Sequence, residues 1–359
     1  MPAAKKRFVS LNYPGMGDDN RKHPIPVCRN INHDVYYLRG HGMTYTVDLI
    51  PTEEKERLTA CCTPRVRYEI KSEIFGCCIK LITDEKSLIE TWQENFSPMS
   101  QNIRSHGRLY VFKDPSVSEN SVRFDPYSKT VFLTNFTYYG WIKSIALGLC
   151  GDILEDEHGI SSIHGACVDI GGKGIGIVGV SGAGKTTQTY GLLRDPQARI
   201  ISDDWFFTRI FGPEILAYGS ERNFYIRQDL SAIWKEFDGL VPANEYDAEG
   251  RAVADIRWVV GKGRLLPLTT LGTLIILHRD PSDLRIASPL EKDEAYALFS
   301  ANGYFNPHLL VKDARKTALR NEYIKNILDR TNCYLINTTG TPKETQGQIR
   351  KVTGLARAE

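Results

Sequence analysis

The chain has 359 residues, 42% of them hydrophobic and 25% charged, which is ordinary globular usage and enough for two domains or one large one. A net charge of +2 gives no electrostatic case for nucleic acid, and no apolar run reaches the length of a membrane span. Met1 to Lys22 is polar with no signal-peptide core, so the expectation is a soluble, cytoplasmic protein with neither a membrane nor a nucleic-acid partner.

Residues 1–30 are rich in Lys, Arg, Pro, Gly and Asp and read as a loose arm. Residues 31–130 read as a strand-rich N-terminal domain. Thr44 to Ile50 alternates, Arg65 to Ile70 and Cys77 to Ile82 follow as strands, and Ser87 to Asn95 has helical spacing around Trp92. Leu109 to Phe112 and Val122 to Phe124 are further strands, and Thr130 to Thr134 is the second arm of a hairpin after a Pro-Tyr-Ser turn. Among the eight cysteines, Cys61-Cys62 and Cys77-Cys78 are adjacent pairs without zinc spacing, and are expected as reduced, packed small hydrophobes.

Residues 131–359 read as a second, α/β domain. Tyr138 to His158 is a helix, with Ile142, Ile145, Leu149 and Ile153 on one face. Ala166 to Ile170 and Gly174 to Val180 are strands, and Gly171-Gly-Lys-Gly between them is a hairpin signal. The loop that follows holds Gly179, four residues, then Gly184, Lys185 and Thr186. Glycines in this spacing turn backbone N–H groups inward around a phosphate chain, the lysine reaches the terminal phosphates, and the threonine hydroxyl can ligate Mg²⁺. Thr186 to Leu193 reads as a helix whose positive N-terminal end faces the same anion. Gly179, Ser181, Gly182, Ala183, Gly184, Lys185, Thr186 and Thr187 are therefore the candidate nucleotide contacts.

Ala198 to Ser202 is a further strand, expected beside the loop strand and parallel to it through a right-handed crossover. It delivers Asp203-Asp204 to the end of the sheet where ligands bind. One carboxylate there can hold Mg²⁺ and the other can accept the proton of an attacking hydroxyl; a turn or helix cap is the alternative. Trp205 to Phe211 is a strand, Leu230 to Asp238 a helix, residues 242–251 a polar loop suited to a lid, and Leu271 to Leu277 a central strand. Asp293 to Ser300, Leu309 to Asp329 and Pro342 to Val352 are helical, and Cys333 to Asn337 is a late strand. Lys312, Arg315, Lys316 and Arg320 read as a solvated helix face.

His-Gly, hairpin, Gly-x-Ser-Gly-x-Gly-Lys-Thr, short helix and Asp-Asp, taken together, resemble the catalytic domain of HPr kinase/phosphorylase. The nucleotide core of ATP-dependent phosphoenolpyruvate carboxykinase is similar. The resemblance implies a P-loop nucleotide-binding domain of that type, using ATP or another phosphate donor with Mg²⁺. It puts His164 beside the reacting phosphoryl group, makes Asp203 and Asp204 the base and metal pair, and offers Glu221 as a metal-side acid with Arg222 and Arg227 as substrate contacts. A weaker likeness, Asp255-Ile-Arg257 through Gly-Lys-Gly-Arg264, offers Arg264, or Arg257, as a charge-stabilising arginine. Here Arg264 follows the second glycine directly, two positions early, and Leu266 holds the expected place. A homo-oligomer is also implied. The N-terminal region does not match the usual one of HPr kinases, which leaves the acceptor open.

The expectation is a kinase moving a phosphoryl group to a serine-like hydroxyl of a protein, peptide or small molecule. A carboxykinase-type enzyme, a non-catalytic nucleotide-binding regulator and a kinase of peptide natural products are the alternatives.

Overall fold

The computed structural model describes residues 35–36, 45–239, 251–255, 257, 260–304 and 308–355. The expected arm over residues 1–30 lies outside the described residues, as does the loop over 242–251 except Arg251. The molecule is mixed α/β, with two eight-stranded mixed sheets and a small hairpin among the described residues.

The first sheet is built from β1 (Val35–Tyr36), β2 (Tyr45–Leu49), β3 (Tyr68–Ile74), β4 (Cys77–Thr83), β5 (Ser97–Pro98), β6 (Gly107–Phe112), β7 (Ser121–Asp125) and β8 (Thr130–Thr134), in the order β1-β2-β7-β8-β6-β4-β3-β5. Strand alternation sorts its faces. Ile79, Leu81, Leu109 and Val111 point to one side, where helices α2 (Lys86–Asn95) and α3 (Tyr139–His158) cover them. Ile82, Tyr110, Phe112 and Phe132 point to the other, under α1 (Thr52–Cys62). Helix α1 has no counterpart in the sequence reading, because its inward stripe is only Glu54, Leu58 and Cys62. Cys62, Cys77 and Cys78 are buried free thiols and Cys61 is half-buried, in line with the packing role expected of them.

The expected boundary at residues 130–131 falls inside β8, so the first sheet continues to Thr134 and the division comes between Thr134 and the start of α3 at Tyr139. That helix is apolar nearly all round, as a helix buried on all sides must be. Its Ile142, Ile145, Leu149 and Ile153 share one core with the first sheet and with Trp205 and Phe207 of the second.

The second sheet follows in sequence. Its strands are β9 (Ile160–Ile170), β10 (Lys173–Gly179), β11 (Ala198–Ser202), β12 (Trp205–Phe211), β13 (Glu214–Gly219), β16 (Leu268–His278), β17 (Ala287–Pro289) and β18 (Asn332–Asn337); β14 (Asn223–Arg227) and β15 (Arg251–Asp255) pair apart from it. Helix α4 (Lys185–Leu193) follows the loop. The expected helix over 230–238 is shorter, α5 (Leu230–Ile233) and then a 3₁₀ turn; α6 (Lys292–Asn302), α7 (Ala314–Leu328) and α8 (Pro342–Val352) complete the chain. β9 and β10 form the expected hairpin, with Gly171 and Gly172 both at positive φ, as a type I′ turn requires.

One topological expectation is overturned. β11 does not lie beside β10. β9 runs between them, antiparallel to both, and the parallel neighbour of β10 is β16. The hairpin supplies β9 as the neighbour before the crossover can return. β11 and β12 then follow one another along the far edge of β9, and β10, β9, β12, β13 and β16 pair in a closed circuit.

Candidate functional site

The site lies where β10 and β11 end. β10 runs into the glycine-rich loop and α4 starts at Lys185, so strand, loop and helix succeed one another as the sequence suggests. Gly182 and Gly184 have φ of 79° and 100°, a region closed to most side chains. A Cβ on Gly179 would stand 2.6 Å from the Leu277 carbonyl of β16. Gly184 caps α4 with no side-chain hydrogen bond, which leaves the first N–H groups of the helix facing out of it. Lys185 Nζ donates to Gly179 O at 2.7 Å, folding back over the loop. Ser181 and Gly182 are exposed, Ala183 is buried, and Thr186 and Thr187 are half-buried.

Across β9, the ladder is interrupted at the Asp pair. It holds at Ser202 opposite Cys167 and resumes at Trp205 opposite His164, after an irregularity at 200–202. Ser202 closes the break: its hydroxyl donates to Trp205 O at 2.5 Å and accepts from Trp205 N at 3.3 Å. The strand has therefore ended where the two carboxylates leave it, as their joint presence at the site required. They are not equivalent. Asp203 is buried, whereas the Asp204 side chain is 34% exposed and meets His164 Nε2 at 3.3 Å. The residue after His164 must be small: a Cβ on Gly165 would stand 2.5 Å from Ile177 O of β10.

Helix α3 adds a group the sequence did not reveal. Lys143, buried at 2% exposure, donates to Asp204 Oδ2 at 3.4 Å and to Glu221 Oε1 at 3.0 Å. Glu221 also accepts from Asn95 Nδ2, at 3.1 Å, at the end of α2. Arg222 caps that same helix end, its guanidinium donating to Gln93 O and Phe96 O and its N–H to Asn95 O. Glu221, expected as a metal-side acid, is thus sealed behind Lys143 at 1% side-chain exposure. Arg222, expected on substrate, holds two parts of the fold together. No sequence signal near Lys143 or Asn95 points to this, because their partners lie at least 60 residues away.

Charge follows from this packing. Burial pushes the Asp204 carboxyl up, but Lys143, His164 and Lys185 outweigh it and hold it well below the usual carboxylate range. Burial lowers the Lys185 ammonium, against Asp204. It raises Glu221 despite Lys143. Behind the site, His308 is packed against Tyr45, Trp141 and Trp205, and its Nδ1 lies 2.5 Å from Tyr45 Oη. Burial, with His164 nearby, pushes the His308 imidazole down to about 3.

Two expectations are corrected. Arg264 is not near the loop. Its guanidinium donates to the carbonyls of Leu193, Asp195 and Ala198, at the far end of α4, where it ties the helix to β11. The basic cluster is a solvated face only in part: Lys312 and Arg315 are exposed as expected, but the other two are not. Lys316 and Arg320 are 1% and 6% exposed. Lys316 meets Asp152, Glu155 and Asp156 of α3 at 2.8–2.9 Å, and Arg320 grips Glu155 with two nitrogens.

Among the described residues no group of three or more His, Cys, Asp or Glu is arranged to hold a metal. The oxygen donors beside the loop are the Thr186 hydroxyl and the Asp pair, of a kind suited to a hard cation that keeps several waters. None of the described helices is long and apolar enough to cross a membrane. No protein-family model matches the chain, and no curated protein matches it.

Proposed function

We propose that the protein is an ATP- and Mg²⁺-dependent kinase of the HPr kinase type that phosphorylates a hydroxyl group. One observation carries the reading: Asp204, His164 and Lys185 form one electrostatic cluster at the mouth of the glycine-rich loop. The open backbone at Gly182 and Gly184 and the uncapped start of α4 fit a phosphate chain. The bound nucleotide with its metal would supply the phosphoryl group and the charge that activates it.

The chain's own part is positioning and charge. Lys185 and the N–H groups at the start of α4 would neutralise the phosphates, and Thr186 with Asp203 would face the cation. Asp204 stays ionised at any physiological pH. It is a weak base, so its contribution is to accept the hydrogen bond of the incoming hydroxyl, aim its oxygen, and take the proton late, as P–O bond formation makes that proton acidic. His164 fixes one Asp204 oxygen and lines the path of the transferring group. A serine-like hydroxyl on a protein, peptide or small molecule is the acceptor class, and a homo-oligomer remains the assembly suggested by the resemblance.

The test is incubation with γ-labelled ATP and Mg²⁺ against a panel of serine, sugar and peptide acceptors. Label should reach an acceptor with the wild type, and Lys185→Ala should cut the rate by at least about 10²-fold. A wild type that binds ATP yet moves label to no acceptor and not to water would instead make the chain a nucleotide-binding regulator.

A further inference from the structure

We propose that Lys143 is a positioning residue for Asp204, clamped between Asp204 and Glu221 and braced by Asn95 at the end of α2. The inference rests on the phosphoryl-transfer reading above. Its basis is geometric. Asp204 has two oxygens, and each already has one partner: Oδ1 is 3.3 Å from His164 Nε2 and Oδ2 is 3.4 Å from Lys143 Nζ. These two contacts fix the plane of the carboxylate. Each oxygen keeps a second lone pair, free for a hydroxyl or a cation.

Stability is a poor reason for Lys143 to be there. Drawing an ammonium and a carboxylate out of water costs about as much as their attraction returns, and an apolar pair of the same volume is often as good. What the arrangement does secure is position. Lys143 is nearer Glu221, at 3.0 Å, than Asp204, at 3.4 Å. Glu221 is itself fixed by Asn95 on its other oxygen. The ammonium is therefore held back from Asp204. It orients the carboxylate without closing on it and covering its outer lone pairs. The groups facing Asp204 are Lys143 of α3, His164 of β9, Lys185 of α4 and the buried His308, with Glu221 behind Lys143. Asn95 at the end of α2, which packs on the first sheet and is capped by Arg222, supplies the fixed end of this clamp.

The decisive variant is the full chain carrying Lys143→Met together with Glu221→Gln. Methionine keeps the stem, glutamine keeps an acceptor for Asn95, and no lone charge is left buried. The double variant should fold, bind ATP in Mg²⁺ within about twofold of wild type, and turn over about 10²-fold more slowly, the cost of a misplaced reacting group. Glu221→Gln alone should also slow turnover, and should add nothing in the Lys143→Met background. A folded double variant with wild-type kcat overturns the inference. So does a loss of kcat matched by an equal loss of ATP affinity, which is what general loosening produces. A wild type that does not turn over ATP overturns the kinase reading and this inference with it.

Discussion

Helix α3 carries a buried charge cluster toward each end, about 14 Å apart at the rise of a helix. At one end Lys143 meets Asp204 and Glu221; at the other Lys316 and Arg320 meet Asp152, Glu155 and Asp156. The pairs have similar distances and similarly buried lysines. They differ in exposure. The side chains of Asp152, Glu155 and Asp156 are 3%, 8% and 20% exposed, and Lys129 covers the rim on Asp152 and Asp156 at 2.6 and 2.7 Å. Asp204 and His164, by contrast, are 34% and 30% exposed. A cluster that only joins two helices can be shut. The role proposed for Asp204 would require a polar face left open to water.

The largest effect should come from breaking the open end. Asp204→Asn should lower the rate of phosphoryl transfer by about 10³-fold, or about 4 kcal/mol, with ATP affinity of the folded protein nearly unchanged. Transfer kinetics alongside calorimetric binding check this; full activity would remove Asp204 from the chemistry.

At the sealed end the signs reverse. Lys316→Met strands the carboxylates of α3 and should cost roughly 3 kcal/mol of stability in urea unfolding, while ATP affinity of the folded protein stays the same. If that variant were fully stable but inactive, the division between the two ends would be wrong.

The smallest effect concerns pH. His308 titrates near 3 in the folded chain and about 6.5 unfolded, so as pH falls below 6.5 the unfolded state takes up the proton first. Stability is then lost from about pH 6.5 down to about 3, roughly 2 kcal/mol of it between pH 7 and 5. His308→Gln should flatten that slope. The sealed end has no such window. Burial works against it, but Lys129 and Lys316 hold the Asp156 carboxyl low, so its stabilisation falls away only below about pH 4. Urea midpoints across pH in the two variants separate the ends.

What the sequence revealed was local. Gly179 to Thr186, the strand before them, the helix after them and the Gly-Gly turn all depend on neighbours a few residues away, and all stand where expected. The Asp pair could be placed at the end of β11 on the same grounds, but not told apart, because only the break tied by Ser202 separates the buried Asp203 from the half-buried Asp204. Long-range pairing was not legible. The crossover rule put β11 beside β10, and β9 took that place. Lys316 and Arg320 looked like a wet surface because their acids lie about 160 residues earlier on α3. Lys143 had no pattern at all: a lone lysine in an apolar helix acquires its meaning from Asp204 and Glu221, 61 and 78 residues on.

The place of β9 between β10 and the β11–β12 run sets a gauge. Two interstrand spacings, about 10 Å, separate the backbone that ends at Gly179 from the backbone that carries Asp204. Peptide hydrogen bonds fix that width, so side-chain changes on either rim leave it alone. In the reaction proposed above, a donor anchored at the glycines would have to bring its reactive phosphorus across that span to meet the hydroxyl. On the proposed reading, chains of two and of three phosphates would end at different points along it, and the width of the sheet would bear on which of them reaches.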